Sequence, residues 1–219
     1  DPILEICKEF KLVLIEDAAE SLGSYYKGQH TGNWGLLSAL SFNGNKIITT
    51  GGGGAILTRD PELAHLAKHL TTTAKTPHTW DYFHDHIGYN YRLPNVNAAI
   101  GCAQLEKLPE FLDQKRKLSF FYKSRFEDME GVKFFTEPEF CKSNYWLNSL
   151  ILDPENIKHL TPLLELTNQN GLMTRPVWKP IHTLPMYKNC PRMDLSVAED
   201  LSQRILNIPS GAKLRINND

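Results

Sequence analysis

The feature that most limits what this chain can fold into is a short apolar run, Leu12-Val13-Leu14-Ile15, that stops abruptly at Glu16-Asp17. Four consecutive apolar residues, rather than alternating ones, read as a strand buried on both faces, as in a parallel sheet flanked by helices. Ile3, Leu4, Ile6, Cys7 and Phe10 recur at helical spacing just before it, behind a proline near the helix start. Helix followed by buried strand places the acidic pair at the carboxyl edge of the sheet, where α/β folds keep their ligands. Ala39 to Phe42 reads as a second strand, Ile47 to Thr50 leads into Gly51 to Gly54, and Ala55 to Thr58 reads as a third. These intervals suit strands joined by tight loops rather than by long crossover helices.

Asp60-Pro61-Glu62 caps a helix carrying Leu63, Leu66, Ala67 and Leu70. A long polar stretch with three histidines follows, from Thr71 to Gly88, and loops of that length in compact domains tend to be functional. Apolar residues then recur at three and four from Val96 to Tyr122, a long helix that Pro109 kinks or splits. Beyond Gly131 the pattern becomes strand (Val132 to Phe135), strand (Tyr145 to Leu152), helix (Ile157 to Gln169) and a turn at Asn170-Gly171. A helix from Ser196 to Ile205 and an extended piece from Leu206 to Ile208, stopped by Pro209, complete a small α+β domain. The expected boundary lies near residue 125, giving an α/β portion over 1–125 and the small domain over 126–219.

Charge excludes some functions. With 24 basic and 25 acidic side chains the formal net charge is -1, so nothing neutralises a nucleic-acid backbone or an anionic membrane. No apolar run approaches the roughly 18 residues that span a bilayer, and Asp1 to Lys11 lack the pattern of a signal peptide, so a cytoplasmic protein is expected. Cys7, Cys102, Cys141 and Cys190 form no C-x-x-C pair, which removes zinc knuckles and dithiol redox motifs. The chain opens without an initiating Met, and is expected to be part of something longer.

The chemistry concentrates between Ile15 and Thr58. Asp17 stands at the end of one strand, Ser41 near the end of another, Lys46 follows five residues later, and the glycine run comes next. A strand-end carboxylate can hold a protonated ring nitrogen, and a lysine in a pocket can form an imine with an aldehyde, the two groups that pyridoxal phosphate requires. The Ser41 hydroxyl would face the cofactor phosphate. Alone, Asp17 is a turn former and Lys46 a solvated surface lysine; their spacing together favours the cofactor. Gly51 to Gly54 lacks the Lys-Ser/Thr ending of a phosphate-binding P-loop. His78, His84 and His86 with Asp81 and Asp85 could be drawn as a metal cluster, but the spacing is poorly specific; no metal is expected, and the segment reads as a polar loop over the substrate.

Four blocks, in order, resemble one family. Glu16 to Gly23 with Ser41 to Lys46 and Thr49 to Ala55, then Gly88 to Leu93 with Asn97 to Gly101 and Gln104 to Leu108, then Arg175 to His182, then Leu206 to Gly211, are similar to the DegT/DnrJ/EryC1/StrS nucleotide-sugar aminotransferases. The resemblance implies a type I pyridoxal-phosphate transferase fold, a large α/β domain around a mixed sheet followed by a small C-terminal domain. It implies that Lys46 forms the imine with the cofactor, that Asp17 pairs with the pyridine nitrogen and that Ser41 binds the phosphate. Glu20 occupies the place near the ring hydroxyl where the family commonly has Gln or His. Asn90 resembles the residue that crosses a homodimer interface to the partner's cofactor phosphate, and Arg92 and His182 lie in blocks that approach the nucleotide sugar. The family's longer amino-terminal portion is not among these residues.

The activity implied is transfer of an amino group from glutamate or glutamine to a nucleotide-linked 4-keto-6-deoxy sugar, in bacterial surface-polysaccharide or nonulosonic acid biosynthesis. The nearest subgroup by resemblance serves legionaminic acid, which implies a UDP-linked 2-acetamido-4-keto-2,4,6-trideoxyhexose as substrate. One rival is a pyridoxamine-phosphate-dependent sugar dehydratase, against which Lys46 argues because those enzymes carry histidine there. The other is a noncatalytic binding or regulatory protein of the same fold.

Overall fold

The computed structural model describes residues 1–214. The chain forms two compact units, residues 1–112 with 138–144, and residues 113–137 with those from 145 onward. In the first, α1 (Pro2–Glu9) leads to β1 (Ile15–Asp17), then come the short strands β2 (Tyr25–Tyr26) and β3 (Gln29–His30), β4 (Leu37–Ser41) and β5 (Gly54–Leu57). Helices α2 (Pro61–Thr71) and α3 (Asn95–Glu106) follow, and α4 (Leu108–Phe126) begins in this unit. Strand β4 pairs in parallel with β1, Asp17 opposite Ala39, and antiparallel with β5, Ser41 opposite Gly54, so the sheet is mixed. Gly54 has no alternative at that position, since a Cβ would lie 2.2 Å from the Leu40 carbonyl oxygen.

The apolar run at 12–15 corrects one expectation. The strand covers Ile15 to Asp17 only, and Leu12, Val13 and Ile15 are 58%, 66% and 64% exposed. β1 is an edge strand of its sheet, and apolar sequence marks a strand that would be stabilised by cover on both faces whether or not that cover is present. Helix α2 is capped as its sequence requires, with Asp60 Oδ1 accepting from the N–H groups of Glu62 and Leu63 at 2.9 and 3.2 Å. The long helix is split at Lys107, with Pro109 in the first turn of α4, where a missing N–H costs nothing.

After β6 (Val132–Phe134) the chain returns to the first unit as β7 (Cys141–Lys142), which pairs with β2. The second unit continues with β8 (Asn148–Leu152), a short 3-10 turn at Pro154–His159, α5 (Leu160–Gln169), β9 (Arg175–Pro176), α6 (Ser196–Ser202) and β10 (Ile205–Ile208). Its sheet runs β6-β8-β10-β9, every pair antiparallel. Phe134, Leu150, Leu152, Leu160, Leu206 and Ile208 form its core, packed by Tyr122, Phe126 and Leu163. The strand expected from Tyr145 starts at Asn148, and the helix expected to reach Ile205 ends at Ser202, because Ile205 already pairs with Ile151. Among the described residues, no helix is long and apolar enough to cross a membrane.

Candidate active site

Strands β1 and β4 run in the same direction, so both release their loops on one edge of the sheet. Asp17 ends β1 and Ser41 ends β4. Glu20 lies in the loop after β1 and Lys46 in the loop after β4, and the two side chains meet as an ion pair between Lys46 Nζ and Glu20 Oε1. The Lys46 side chain is 11% exposed, whereas that of Glu20 is 47% exposed. Asp17 is exposed, with Oδ1 accepting the Ala19 N–H at 3.2 Å. Ser41 Oγ accepts the Asn43 N–H at 3.3 Å, which leaves the hydroxyl proton to donate.

The neighbouring acid, Glu16, does different work. Its carboxylate accepts from the N–H groups of Gly32, Trp34 and Gly35 at 2.7, 2.6 and 2.7 Å, tying the segment before β4 to β1. Charge-assisted bonds of this kind are about twice as strong as neutral ones. The buried Asn144, in the segment that carries β7, donates to the carbonyl oxygens of Glu20 and Leu22 at 2.7 and 3.0 Å, so the loop bearing Glu20 is held from a distant point in sequence. Neither role was legible in the spacing, because the partners lie 16 to 19 residues from Glu16 and 122 to 124 residues from Asn144.

A second group of expected residues gathers elsewhere in the same unit. Asn90 and Arg92 line a cavity of about 420 Å³ together with Lys75, His78 and three threonines, Thr72, Thr73 and Thr76, and no acidic residue lines it. Thr72 and Asn90 form a single antiparallel bridge, and Lys75 Nζ stands 3.9 Å from the centre of the Tyr82 ring. In the polar loop the histidines are not arranged as their sequence spacing suggested. His78 Nδ1 accepts from the Asp81 N–H at 2.9 Å, and His84 Nδ1 lies 2.7 Å from the Thr73 carbonyl oxygen. Asp85 is instead shared by His69 at 2.6 Å and His86 at 3.0 Å, and hydrogen bonds from His69 first and His86 second lower its pKa to about 2. His182 belongs to the second unit, where its Nε2 lies 2.7 Å from Glu199 Oε1. Trp178 stacks on Trp146 there, with ring centres 5.9 Å apart.

An acid and a hydroxyl at adjacent strand ends, with a sheltered amine reaching the loop between them, form a donor set that suits pyridoxal phosphate: an acceptor for a ring N–H, a donor for a phosphate oxygen and a nucleophile for an aldehyde. The DegT/DnrJ/EryC1/StrS aminotransferase family model matches residues 1–218. GDP-perosamine synthase of Escherichia coli O157:H7 is 39% identical over 96% of this chain and 56% of its own length. EpsN of Bacillus subtilis strain 168, provisionally named a pyridoxal phosphate-dependent aminotransferase, is 39% identical over 98% of this chain and 55% of its own. Among solved structures, PseC of Helicobacter pylori, an aminotransferase of pseudoaminic acid biosynthesis, matches with a TM-score of 0.91 at 26% identity, covering 97% of this chain and 58% of that one. The chain thus spans about half the length of the relatives it matches. With its sequence blocks, its mixed sheet and its structural neighbours in agreement, the chain belongs to the DegT/DnrJ/EryC1/StrS aminotransferase family, which is pyridoxal phosphate-dependent.

Proposed function

We propose that these residues carry the lysine and much of the cofactor site of an aminotransferase that moves an amino group from glutamate, or glutamine, to a nucleotide-linked 4-keto-6-deoxy sugar. One observation carries the reading: the loops leaving β1 and β4 on the same sheet edge converge, and Lys46 of one meets Glu20 of the other. GDP-perosamine synthase and a UDP-4-amino-4,6-dideoxy-N-acetyl-beta-L-altrosamine transaminase of Campylobacter jejuni, 31% identical, support a nucleotide-sugar substrate.

When bound, pyridoxal phosphate supplies an electron sink that makes the hydrogen on the amine-bearing carbon removable. Asp17 would hold the ring N–H, and Ser41 would donate its hydroxyl proton to a phosphate oxygen. Lys46, freed from Glu20 and having given up its ammonium proton, would be the amine that holds the cofactor through its aldehyde carbon, with water as the leaving group. With its amine free, Lys46 would be the base that takes a proton from the donor carbon and the acid that returns it one position along, and it would serve the keto sugar in the opposite order. Glu20, paired with the lysine here, would face the ring hydroxyl. Asn90 is assigned to the partner's cofactor phosphate across a homodimer interface, and Arg92 and His182 to the nucleotide sugar. A cavity lined by Asn90, Arg92 and Lys75 without an acid suits phosphate-bearing groups.

The test treats the protein with pyridoxal phosphate and borohydride, then assays the polypeptide that carries these residues against a panel of nucleotide keto sugars. A reduced adduct on Lys46 and an amino sugar formed at the expense of glutamate are expected, with the UDP-linked 2-acetamido-4-keto-2,4,6-trideoxyhexose as the best substrate. Lys46→Ala should abolish the adduct and lower amino transfer by ~10³-fold or more. A deoxy rather than an amino sugar as product, or labelling that ignores Lys46, overturns the assignment.

A further inference from the structure

Asn97, Gly101 and Gln104 stand at i, i+4 and i+7 of α3, on one face of the helix. That face grips the loop that follows Lys46. Asn97 Nδ2 donates to the Thr50 carbonyl oxygen at 2.5 Å, and the Thr49 N–H reaches Gln104 Oε1 at 3.4 Å. Gly101, between them and buried, leaves room for Thr50: a Cβ at Gly101 would stand 3.0 Å from Thr50 Cγ2, tight enough that the Thr50 side chain has to give by a few tenths of an ångström.

The gripped segment is itself closed. The Phe42 carbonyl oxygen accepts the Thr50 N–H at 3.0 Å and the Thr49 hydroxyl at 3.1 Å, and the Phe42 N–H donates to the Gly53 carbonyl oxygen at 2.9 Å. Ile48 and Thr50 are each 1% exposed. Only Ile47 to Thr49 separate Lys46 from the residue that α3 holds, and the middle one of the three is buried, so little backbone freedom remains between the grip and the lysine.

We propose that this face of α3 is a template that sets where Lys46 Nζ can reach, which makes Asn97, Gly101 and Gln104 positioning residues for the covalent step at that lysine. The inference rests on the role given to Lys46 above. A displacement of about 1 Å at a reacting group can cost on the order of 10²-fold in rate, so a helix far from the chemistry can control it through one carbonyl and one missing methyl.

Gly101→Ala separates positioning from simple stabilisation. In mid-helix, alanine is the better helix former, so a purely structural view has the variant at least as stable and equally reactive. Template control has it equally stable yet slower, because the new methyl meets Thr50. Thr50→Ser removes Cγ2 but keeps the hydroxyl that bonds the Gly52 carbonyl oxygen, so it should rescue Gly101→Ala. The experiment compares wild type, Gly101→Ala, Asn97→Ala and Gly101→Ala with Thr50→Ser. It measures thermal unfolding, amide exchange across residues 42–54 without added cofactor, and the rate at which pyridoxal phosphate becomes borohydride-trappable on Lys46.

Expected are faster exchange confined to that loop in both single variants, adduct formation slowed roughly 10- to 100-fold, an unfolding temperature in Gly101→Ala no lower than wild type, and recovery of the wild-type rate in the double variant. Labelling of the single variants at the wild-type rate, or a loss that Thr50→Ser does not relieve, overturns the proposal while leaving the role of Lys46 intact. A wild-type protein that fails to label at Lys46 overturns that role, and this inference with it.

Discussion

Lys115, on α4, is 5% exposed and donates to the carbonyl oxygens of Trp146, at 3.2 Å, and Ser210. Burial lowers its pKa from 10.5 to about 8. Below pH 8 the folded and unfolded chains both carry the ammonium, and stability does not change on its account. Between about 8 and 10.5 the unfolded chain keeps a proton that the folded chain has lost, so stability rises with pH and levels off above that window. The full rise is at most roughly 3 kcal/mol, less whatever the two carbonyls return to the charged form. Denaturant unfolding followed by tryptophan fluorescence should show this slope in the wild type and not in Lys115→Met; parallel pH profiles would remove Lys115 as its source. Sequence could not single out this residue, since a lone lysine in a helix reads as solvated. The Glu16-Asp17 pair was legible as a strand-end acid pair, but not its division of labour. Adjacent strand residues point to opposite faces, and which one meets the N–H groups of Gly32, Trp34 and Gly35 depends on a fold formed 16 to 19 residues away.

Among the elements, those with a period or a terminator were readable. Asp60 announces α2, Pro109 marks the break between α3 and α4, and Asn170-Gly171 ends α5, with Gly171 at a φ of 77°. The sheet of β3, β2 and β7 was missed, although part of it left a signal. Tyr25-Tyr26 and Gln29-His30 are separated by two residues, Lys27 and Gly28, both at positive φ, which is the pattern of a tight hairpin turn. Its third strand, β7, lies more than 100 residues on and left none. Burial was the least legible property, and it can be measured. Leu206, 3% exposed in the centre of the second unit, should lose about 2–5 kcal/mol of stability on Leu206→Ala. Ile15, 64% exposed, should lose less than about 0.5 kcal/mol on Ile15→Ala, although its sequence surroundings are the more apolar. Equal losses in thermal or denaturant unfolding would mean that β1 is covered after all.

For the molecule as a whole, apolar burial is unevenly divided. The core cluster of the described residues lies in the second unit, while the first leaves Ile3 and Ile6 of α1, Phe10 just after it, Leu12 and Val13 before β1, and Ile56 of β5 more than half exposed. Monomeric proteins rarely leave large apolar patches open, and such surface is favourable to cover at about 25 cal/mol per Å². The formal net charge of -1 supplies almost no repulsion to oppose that covering. A preparation of this 219-residue chain should therefore self-associate with rising concentration near neutral pH and bind hydrophobic dyes strongly. Salt distinguishes the cause: association through apolar surface persists or strengthens as ionic strength rises, whereas association through charge weakens. Replacing Val13 and Ile15 by glutamate adds two charges at positions already in water, so it should reduce both association and dye binding without lowering the unfolding transition of the second unit, whose core contains neither residue. Sedimentation across a concentration series, with and without these substitutions, decides the matter. A wild-type chain that stays monomeric and dark to the dye would mean that the apolar side chains of the first unit are covered in solution, and with them the edge strand that ends in Asp17.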